Sequence, residues 1–262
     1  MKIKIIDKSD QKLTFLLEET TPQFANAIRR ISMVEVPNLA INVVNFNKND
    51  SVLYDEIISH RLAMIPLVFN PKDFNYKDVC DCEGNGCSLC EVVFAINKKG
   101  PGKVYSKDMK SSNASVKPFH DNILITELDE GQVLKLTAAA NLGTGRDHAK
   151  FNAAISFYRY YPIVELKGQL KNAEECMKVC PKNALEIKGN KATVTMNCDL
   201  CQECVKTADP QGLLEVHGDE RRFVFTVESI SGLTAEQITL AAIDILKKKA
   251  KELEKDIKKL KQ

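Results

Sequence analysis

Three features that would assign a chain to a special class of protein are missing from this sequence. Its 37 basic residues nearly balance its 35 acidic residues, so the net charge is only +2. A chain this close to neutral gives no reason to expect direct nucleic-acid binding or attachment to an anionic membrane. No apolar stretch reaches the roughly 20 residues that a membrane-spanning helix requires. The closely spaced charges of residues 1–7 predict a strand and not a signal peptide, so we expect a cytoplasmic protein.

Motifs of the common catalytic sites are also missing. Residues 141–146 are glycine-rich, but no Gly-Lys-Ser/Thr follows, so they do not form a phosphate-binding P-loop. The sequence contains no Asp-x-Asp-x-Asp metal loop and no recognisable catalytic triad. His60 stands alone in a helical pattern, where a histidine is more often a structural hydrogen-bond donor. We therefore expect no catalytic residues in this chain.

What the sequence does contain is an ordinary globular composition with an unusual set of cysteines. The chain has 262 residues, of which 44% are apolar and 27% charged, enough for one large or two modest domains. Its cysteines fall into two groups, which in an unsecreted protein favours metal binding in a reducing cytoplasm. The first group is Cys80, Cys82, Cys87 and Cys90, and the second is Cys176, Cys180, Cys198, Cys201 and Cys204.

The second group has the spacing of a bacterial-type iron–sulfur site. Cys198, Cys201 and Cys204 follow each other at two-residue intervals, and a remote Cys180 precedes a proline. A tight loop can supply three corners of a cluster while a distant segment supplies the fourth. The pattern predicts one 4Fe–4S cluster on these four cysteines, or a 3Fe–4S cluster if one ligand fails to bind. A zinc ribbon and buried free thiols are the alternatives.

A second cluster, as in two-cluster ferredoxins, is not expected. Its ligand positions hold Leu170, Ala173, Cys176 and Ala208, so that one cysteine remains. Cys176 is therefore left over. It is a buried thiol, a free reactive thiol or a disulfide partner.

The first cysteine group predicts a closed structural site. Residues 80–90 hold two cysteine pairs around two glycines, and glycine permits a turn tight enough to bring both pairs onto one tetrahedral ion. Four thiolates without an open position are typical of structural zinc. The short spacing of Cys80 and Cys82 is unusual for zinc, so two disulfides or free thiols remain as alternatives.

Hydrophobic periodicity predicts several helices and strands. Residues 1–19 alternate as a hairpin, and residues 92–96, 123–128, 133–138, 153–158 and 222–229 are typical of strands. Thr21 and Pro22 begin a helix that continues to about residue 35. Residues 51–67 predict a second helix, with Ile57 on its apolar face. Residues 185–187 and 192–195 can pair as a small hairpin beside the second cysteine group.

A long helix is predicted at the end of the chain. Thr234 and Gln237 form a capping box, and apolar residues then recur at heptad spacing to Leu260. The chain from Lys247 holds eight lysines and three acidic residues, which is typical of a solvated face. An apolar stripe on a terminal helix needs a partner, and we expect the helix of another chain.

Segments spread over the whole chain resemble the RNA polymerase alpha family, which includes the bacterial alpha subunit, the eukaryotic third-largest subunit and their archaeal counterpart. Residues 24–31 with 36–41 look like its first assembly motif, and residues 53–67 are similar to the next shared block. Residues 148–151 resemble its His-Ala-Lys-Trp motif, with Phe151 in place of Trp, and residues 223–229 resemble its closing block. The ferredoxin-like insert before that block is typical of the archaeal branch.

The resemblance implies an α+β fold in three parts. An alpha-subunit-like dimerisation domain is expected at residues 1–42 and 222–262. An inserted mostly-β domain with the cysteine-rich loop 80–90 is expected at 43–164, and an inserted ferredoxin-like iron–sulfur subdomain at 165–221. The eukaryotic relative carries zinc in the loop that matches 80–90.

The resemblance also implies a function in assembly. The chain would form a heterodimer with the small alpha-like subunit L and would recruit subunits N and P and the large catalytic subunits of DNA-directed RNA polymerase, a nucleotidyltransferase. The expected dimer contacts are Phe24, Ile28, Ile31, Ile243, Leu246, Leu253, Ile257 and Leu260. The cluster would stabilise its subdomain, and its oxidation could regulate assembly. The alternative is a ferredoxin-like electron-transfer or redox-sensing protein.

Overall fold

A computed structural model describes residues 1–259 and has the predicted mixture of helices and strands. The helices are α1 (Pro22–Val34), α2 (Asp55–Ala63), α3 (Ala173–Lys178), α4 (Glu203–Thr207) and α5 (Ala235–Lys259). The strands of the described part are β1 (Lys2–Lys8), β2 (Lys12–Glu18), β3 (Asn38–Asn49), β4 (Leu67–Val68), β5 (Glu91–Lys99), β6 (Gly102–Tyr105), β7 (Lys110–Ser111), β8 (Lys117–Pro118), β9 (Leu124–Leu128), β10 (Val133–Gly143), β11 (Ala154–Leu166), β12 (Leu185–Lys188), β13 (Lys191–Val194) and β14 (Leu214–Ser229). None of the described helices is long and apolar enough to cross a membrane.

The chain divides into two compact units, each made of several segments. The first unit comprises residues 1–8, 13–29 and 157–226, and the second comprises 9–12, 30–156 and the chain from 227 onward. The domain boundaries expected from the sequence are a finer division, and they stay predictions.

A four-stranded sheet with the order β1-β2-β14-β11 dominates the first unit. The predicted hairpin is confirmed, because β1 and β2 pair antiparallel with Ile3 opposite Leu17 and Ile5 opposite Phe15. Phe15 stacks on Phe225 at 5.1 Å between ring centroids and anchors the sheet's buried face. Ile3 and Ile5, at the edge of the sheet, are 57% and 58% exposed. The apolar alternation of β1 therefore does not mark a buried strand.

The second unit is built on a sheet with the order β3-β10-β5-β7. Strand β10 pairs antiparallel with β3 on one side and with β5 on the other. Alternate residues of β5 and β10 are buried, as a half-buried sheet requires. They are Val92, Phe94, Ile96, Leu134, Leu136, Ala138 and Ala140.

The helix predicted over residues 51–67 is shorter than expected. Its residues form α2 from Asp55 to Ala63, and Ile58, not Ile57, lies in the core. The reason is local: the Asn49 side chain accepts hydrogen bonds from the Ser51 amide and hydroxyl and donates one to the carbonyl of Leu53. These bonds hold residues 51–53 in a turn, which competes with helix formation.

Candidate metal centres and assembly helix

The first cysteine group converges as the sequence predicted. Cys80 and Cys82 follow a short helical turn at Lys77–Val79, and Cys90 leads directly into β5. Gly84 and Gly86 adopt left-handed backbone angles, with φ of +81° and +89°, which reverses the chain between the two pairs. All four sulfur atoms lie within 4.8 Å of one another. In residues 1–259 no other group of three or more His, Cys, Asp or Glu side chains brings its ligand atoms this close together.

The sulfur–sulfur distances fit a single tetrahedral ion. They are 3.6 Å for Cys80 and Cys87, 3.5 Å for Cys82 and Cys90, and 3.8 Å for Cys87 and Cys90. Zinc–sulfur bonds of about 2.3 Å in a tetrahedron place the sulfurs about 3.8 Å apart. No disulfide is formed, because all four cysteines are free. The four cysteines could therefore hold one metal ion, and their geometry leaves its identity open.

The thiols of this loop differ in acidity. Burial raises the pKa of Cys82, but hydrogen bonds from Cys90 and Cys80 outweigh it and lower the pKa to about 7. Burial raises the pKa of Cys90 to about 12. A bound cation would remove this difference, since a metal-bound thiol is deprotonated outright. Lys77, paired with Glu91 at 2.6 Å, lies beside the thiols as a compensating positive charge.

The second cysteine group lies in a small module of α3, β12, β13 and α4. The predicted hairpin is confirmed, with Leu185 opposite Val194. Cys180 follows α3, and its sulfur accepts a hydrogen bond from the Ala184 amide at 3.3 Å. Cys204 lies in α4, and its burial raises its pKa to about 11, with the charges of Cys198, Cys180 and Cys201 acting in the same direction. The four sulfurs are therefore near enough to interact electrostatically, but they do not converge as closely as those of the first group.

The loop that carries the three closely spaced cysteines has a strained backbone. Leu200 and Gln202 have φ of +61° and +68°, a region that residues other than glycine rarely adopt. These two residues flank Cys201, which is exposed, whereas Cys198 and Cys204 are buried. The Gln202 amide secures the turn by donating to the carbonyl of Val216 at 2.8 Å. Such strain persists only where the surrounding structure enforces it, and it is common at ligand sites.

An apolar core fills the place where a second cluster's ligands would stand. Leu170, Cys176 and Ala208 are 8%, 0% and 2% exposed within one cluster of buried residues. Cys176 is a buried free thiol, not a disulfide. Burial raises its pKa, which keeps it protonated.

The residues expected at a dimer interface differ in exposure. Ile28 and Ile31 of α1 are buried within the chain at 3% and 5%, and Phe24 is half-buried. In α5, Ile243 and Leu246 are half-buried, whereas Leu253 and Ile257 are 62% and 47% exposed. Leu260 lies outside the described residues.

Helix α5 changes character along its length. Its first turns are buried through Ala235, Ile238 and Ala242, while every described residue from Lys247 onward is exposed. Leu253 and Ile257 continue the face of the helix that is buried earlier, because residues spaced by three and four positions share a face. The part of α5 from Lys247 to Lys259, called here the α5 extension, therefore carries an uncovered apolar stripe.

Three residues that sequence reasoning missed, Glu35, Asn172 and Arg61, make long-range contacts near these features. Glu35 forms ion pairs with Arg146 and Lys249, and Asn172 hydrogen-bonds across the cysteine module. The Arg61 guanidinium donates to the carbonyl of Ile125 at 2.8 Å. Each links residues far apart in sequence, and no local pattern announces such pairs.

Comparison with known proteins defines first the class. Residues 10–157 match the family model described as the RNA polymerase Rpb3/RpoA insert domain, more than half of the chain. The description names alpha-like subunits of RNA polymerase, which is the class expected from the sequence motifs.

Full-length relatives then give the family. Proteins named DNA-directed RNA polymerase subunit Rpo3 are 38% identical in Methanosphaera stadtmanae, over 95% of this chain and 96% of the relative, and 37% identical in Archaeoglobus fulgidus, over 99% and 98%. The protein of that name from Pyrococcus furiosus is 35% identical over 99% and 98%. The chain belongs to the Rpo3 family of DNA-directed RNA polymerase subunits, the archaeal branch of the alpha family, and the predicted family is confirmed.

Proposed function

We propose that this chain is a non-catalytic assembly subunit of DNA-directed RNA polymerase that forms a heterodimer with the small alpha-like subunit L. The observation that carries the proposal is the α5 extension, whose apolar stripe is uncovered although the same helix face is buried earlier in the helix. An isolated helix end of this length is marginal in water, so a packing partner is needed to stabilise it. A helix of subunit L would bury the stripe.

Helix α1 would contribute the second part of the interface. Phe24 keeps part of its ring accessible, whereas Ile28 and Ile31 are buried in the chain itself. We expect Phe24 to contact the partner and the two isoleucines to hold α1 in place. Once formed, the dimer would recruit subunits N and P and the large subunits.

Co-purification tests the heterodimer. The double variant Leu253→Asp, Ile257→Asp places two charges on exposed positions, so it should leave the fold intact but abolish recovery of subunit L. Lys251→Asp, on the opposite face of the same helix, is the matched control and should still recover it. Undiminished recovery with the double variant would contradict the proposal.

We also propose that Cys180, Cys198, Cys201 and Cys204 hold one iron–sulfur cluster. The electrostatic interaction between their sulfurs and the strained backbone around Cys201 support it. In such a cluster each thiolate binds a different iron, so the sulfurs need not approach as closely as around one ion. The bound cluster would supply folding free energy to a module with a small core. Anaerobically purified protein should contain about four irons per chain, and Cys198→Ser should reduce that content without lowering zinc.

We assign the metal of the 80–90 loop as structural zinc, because the sulfur distances match a tetrahedral site with no open position. Zinc must compete with protons for the thiolates, so retention should fall as the pH is lowered. We expect one zinc per chain at neutral pH, and its loss in the double variant Cys82→Ser, Cys87→Ser. A full complement of zinc in that variant would overturn the assignment.

A redox role is the second candidate, and the exposure of Cys201 favours it. A cluster corner at the surface is open to oxidants and to electron-transfer partners. Cluster-free protein prepared in air should then bind subunit L more weakly than the anaerobic protein. Equal affinities would leave the cluster with a structural role alone.

A further inference from the structure

Asn172 connects two distant segments of the cysteine module through its side-chain amide. Its Oδ1 accepts a hydrogen bond from the Asp209 backbone amide at 2.9 Å. Its Nδ2 donates to the carbonyl of Thr207 at 2.8 Å and to the Glu175 carboxylate at 3.2 Å. The Asn172 side chain therefore joins the start of α3 to the last residue of α4 and to Asp209 beyond it.

The segment enclosed by these bonds contains every proposed cluster ligand. Residues 172–209 begin just before α3, which leads to Cys180, and end just after α4, which contains Cys204. The backbone bond from the Lys171 amide to the Asp209 carbonyl, at 2.8 Å, reinforces the same closure. Opening this junction would let the Cys180 segment and the Cys198–Cys204 loop move apart.

Asn172 also contacts the spare thiol of the module. The Cys176 sulfur lies 3.7 Å from Asn172 Oδ1, to which its S–H donates, and the Cys176 side chain is fully buried. The same amide oxygen thus satisfies the thiol and the Asp209 amide at the edge of the apolar core. An alanine at this position would leave both groups without this acceptor.

We propose that Asn172 is a positioning residue for the four-cysteine site, closing residues 172–209 so that Cys180 and the Cys198–Cys204 loop stay converged and a bound cluster retains its iron. This inference rests on the proposed function of these cysteines. Asn172 contacts none of the four ligands and acts through the segments that carry them.

The experiment compares iron loss from anaerobically purified, full-length variants exposed to a ferrous chelator. Asn172→Ala should release iron on the order of tenfold faster than the wild type, since it loses four hydrogen bonds, two of them partly buried. Asn172→Asp keeps the acceptor oxygen but loses the donor and faces the Glu175 carboxylate with a second negative charge, so it too should release iron faster than the wild type. Asn190→Ala, an exposed asparagine in the hairpin of the same module, is the matched control and should behave as the wild type.

Two further readouts separate positioning from general destabilisation. Zinc bound at residues 80–90 should be retained equally by all variants, and the amide of Asp209 should exchange faster in Asn172→Ala. Release of iron from Asn172→Ala at the wild-type rate, or parallel loss of zinc and iron, would overturn the inference. If Asn172→Ala does not fold, Asn172→Asp decides, with wild-type release again counting against it. A wild type that holds no iron would instead refute the proposed cluster.

Discussion

Glu35 is a residue whose importance only the structure reveals. Its carboxylate, 13% exposed, pairs with Arg146 in the loop after β10 and with Lys249 at the start of the α5 extension. Burial alone would raise the pKa of Glu35, but the two ion pairs outweigh it and hold the pKa below its ordinary value of 4.5. One side chain therefore fastens the end of α1 to the helix that carries the proposed interface.

Glu35→Gln should lower the free energy of unfolding by about 1–2 kcal/mol at pH 7, because the hydrogen bonds from Arg146 and Lys249 lose their negatively charged acceptor. A lowered native pKa stabilises the fold above the unfolded pKa, and this contribution disappears as the pH falls through the native value. The difference between wild type and variant in urea denaturation should thus be largest at neutral pH and shrink as the pH falls below 4.5.

The control for this prediction is Glu228→Gln, which removes a single exposed pair with Lys12. Such surface pairs contribute little, so we expect a change below about 0.5 kcal/mol. A Glu35→Gln effect that persists unchanged in acid would show that its cause is packing and not charge.

At the same scale, the sequence predicted the cysteine ligands but not the residues whose contacts hold the surrounding segments in place. The intervals between Cys198, Cys201 and Cys204 predict a shared site because ligand spacing is local. Thr207 and Asp209, which close the module through Asn172, and both ion-pair partners of Glu35 lie 35 or more residues away in sequence. No periodicity encodes such pairs, so they could not be predicted.

Among the elements, helix α5 was predicted best. The capping box is present: the Gln237 amide donates to the Thr234 hydroxyl at 3.2 Å, and the Thr234 amide donates to the Gln237 side chain at 2.9 Å. Helix α2 was predicted less well because the turn at Asn49 and Ser51 displaced its start. Strand β3 was missed, since several asparagines interrupt its apolar pattern directly after Pro37. The ends of a helix are determined by nearby residues, whereas β3 forms because it pairs with β10, which is distant in sequence.

The segment that leads into α5 packs closely against β4 at Gly232. A Cβ at this position would lie 2.6 Å from Val68 Cα and closer still to the Leu67 carbonyl, both in β4. Because backbone atoms of a paired strand cannot yield easily, Gly232→Ala should cost roughly 2–3 kcal/mol of unfolding free energy. Thermal and urea denaturation would measure the loss.

Gly168→Ala is the comparison for that variant, because its Cβ would meet only the flexible Leu213 side chain at 3.3 Å. We expect a change smaller than about 1 kcal/mol. Equal stability of the two variants would contradict the steric account of Gly232.

At the scale of the whole molecule, the two cysteine sites belong to different compact units. Removing zinc should therefore increase amide exchange mainly in residues 76–91, and removing iron mainly in residues 172–209, because each metal stabilises the segment that binds it. Hydrogen exchange followed by mass spectrometry after selective chelation would measure both. Simultaneous loss of protection in both segments, whichever metal is removed, would contradict this expectation.

The exposed α5 extension also affects how long an unassembled copy of the chain survives. An unpacked helix end frays in water, and this one contains lysines at 247, 248, 249, 251, 255, 258 and 259. Each fraying event presents bonds that a trypsin-like protease can cleave. A partner bound over the α5 extension would suppress fraying. The extent of digestion at these lysines would therefore measure the fraction of chains that have no bound partner. The surface proposed for assembly would then also mark orphan subunits for removal.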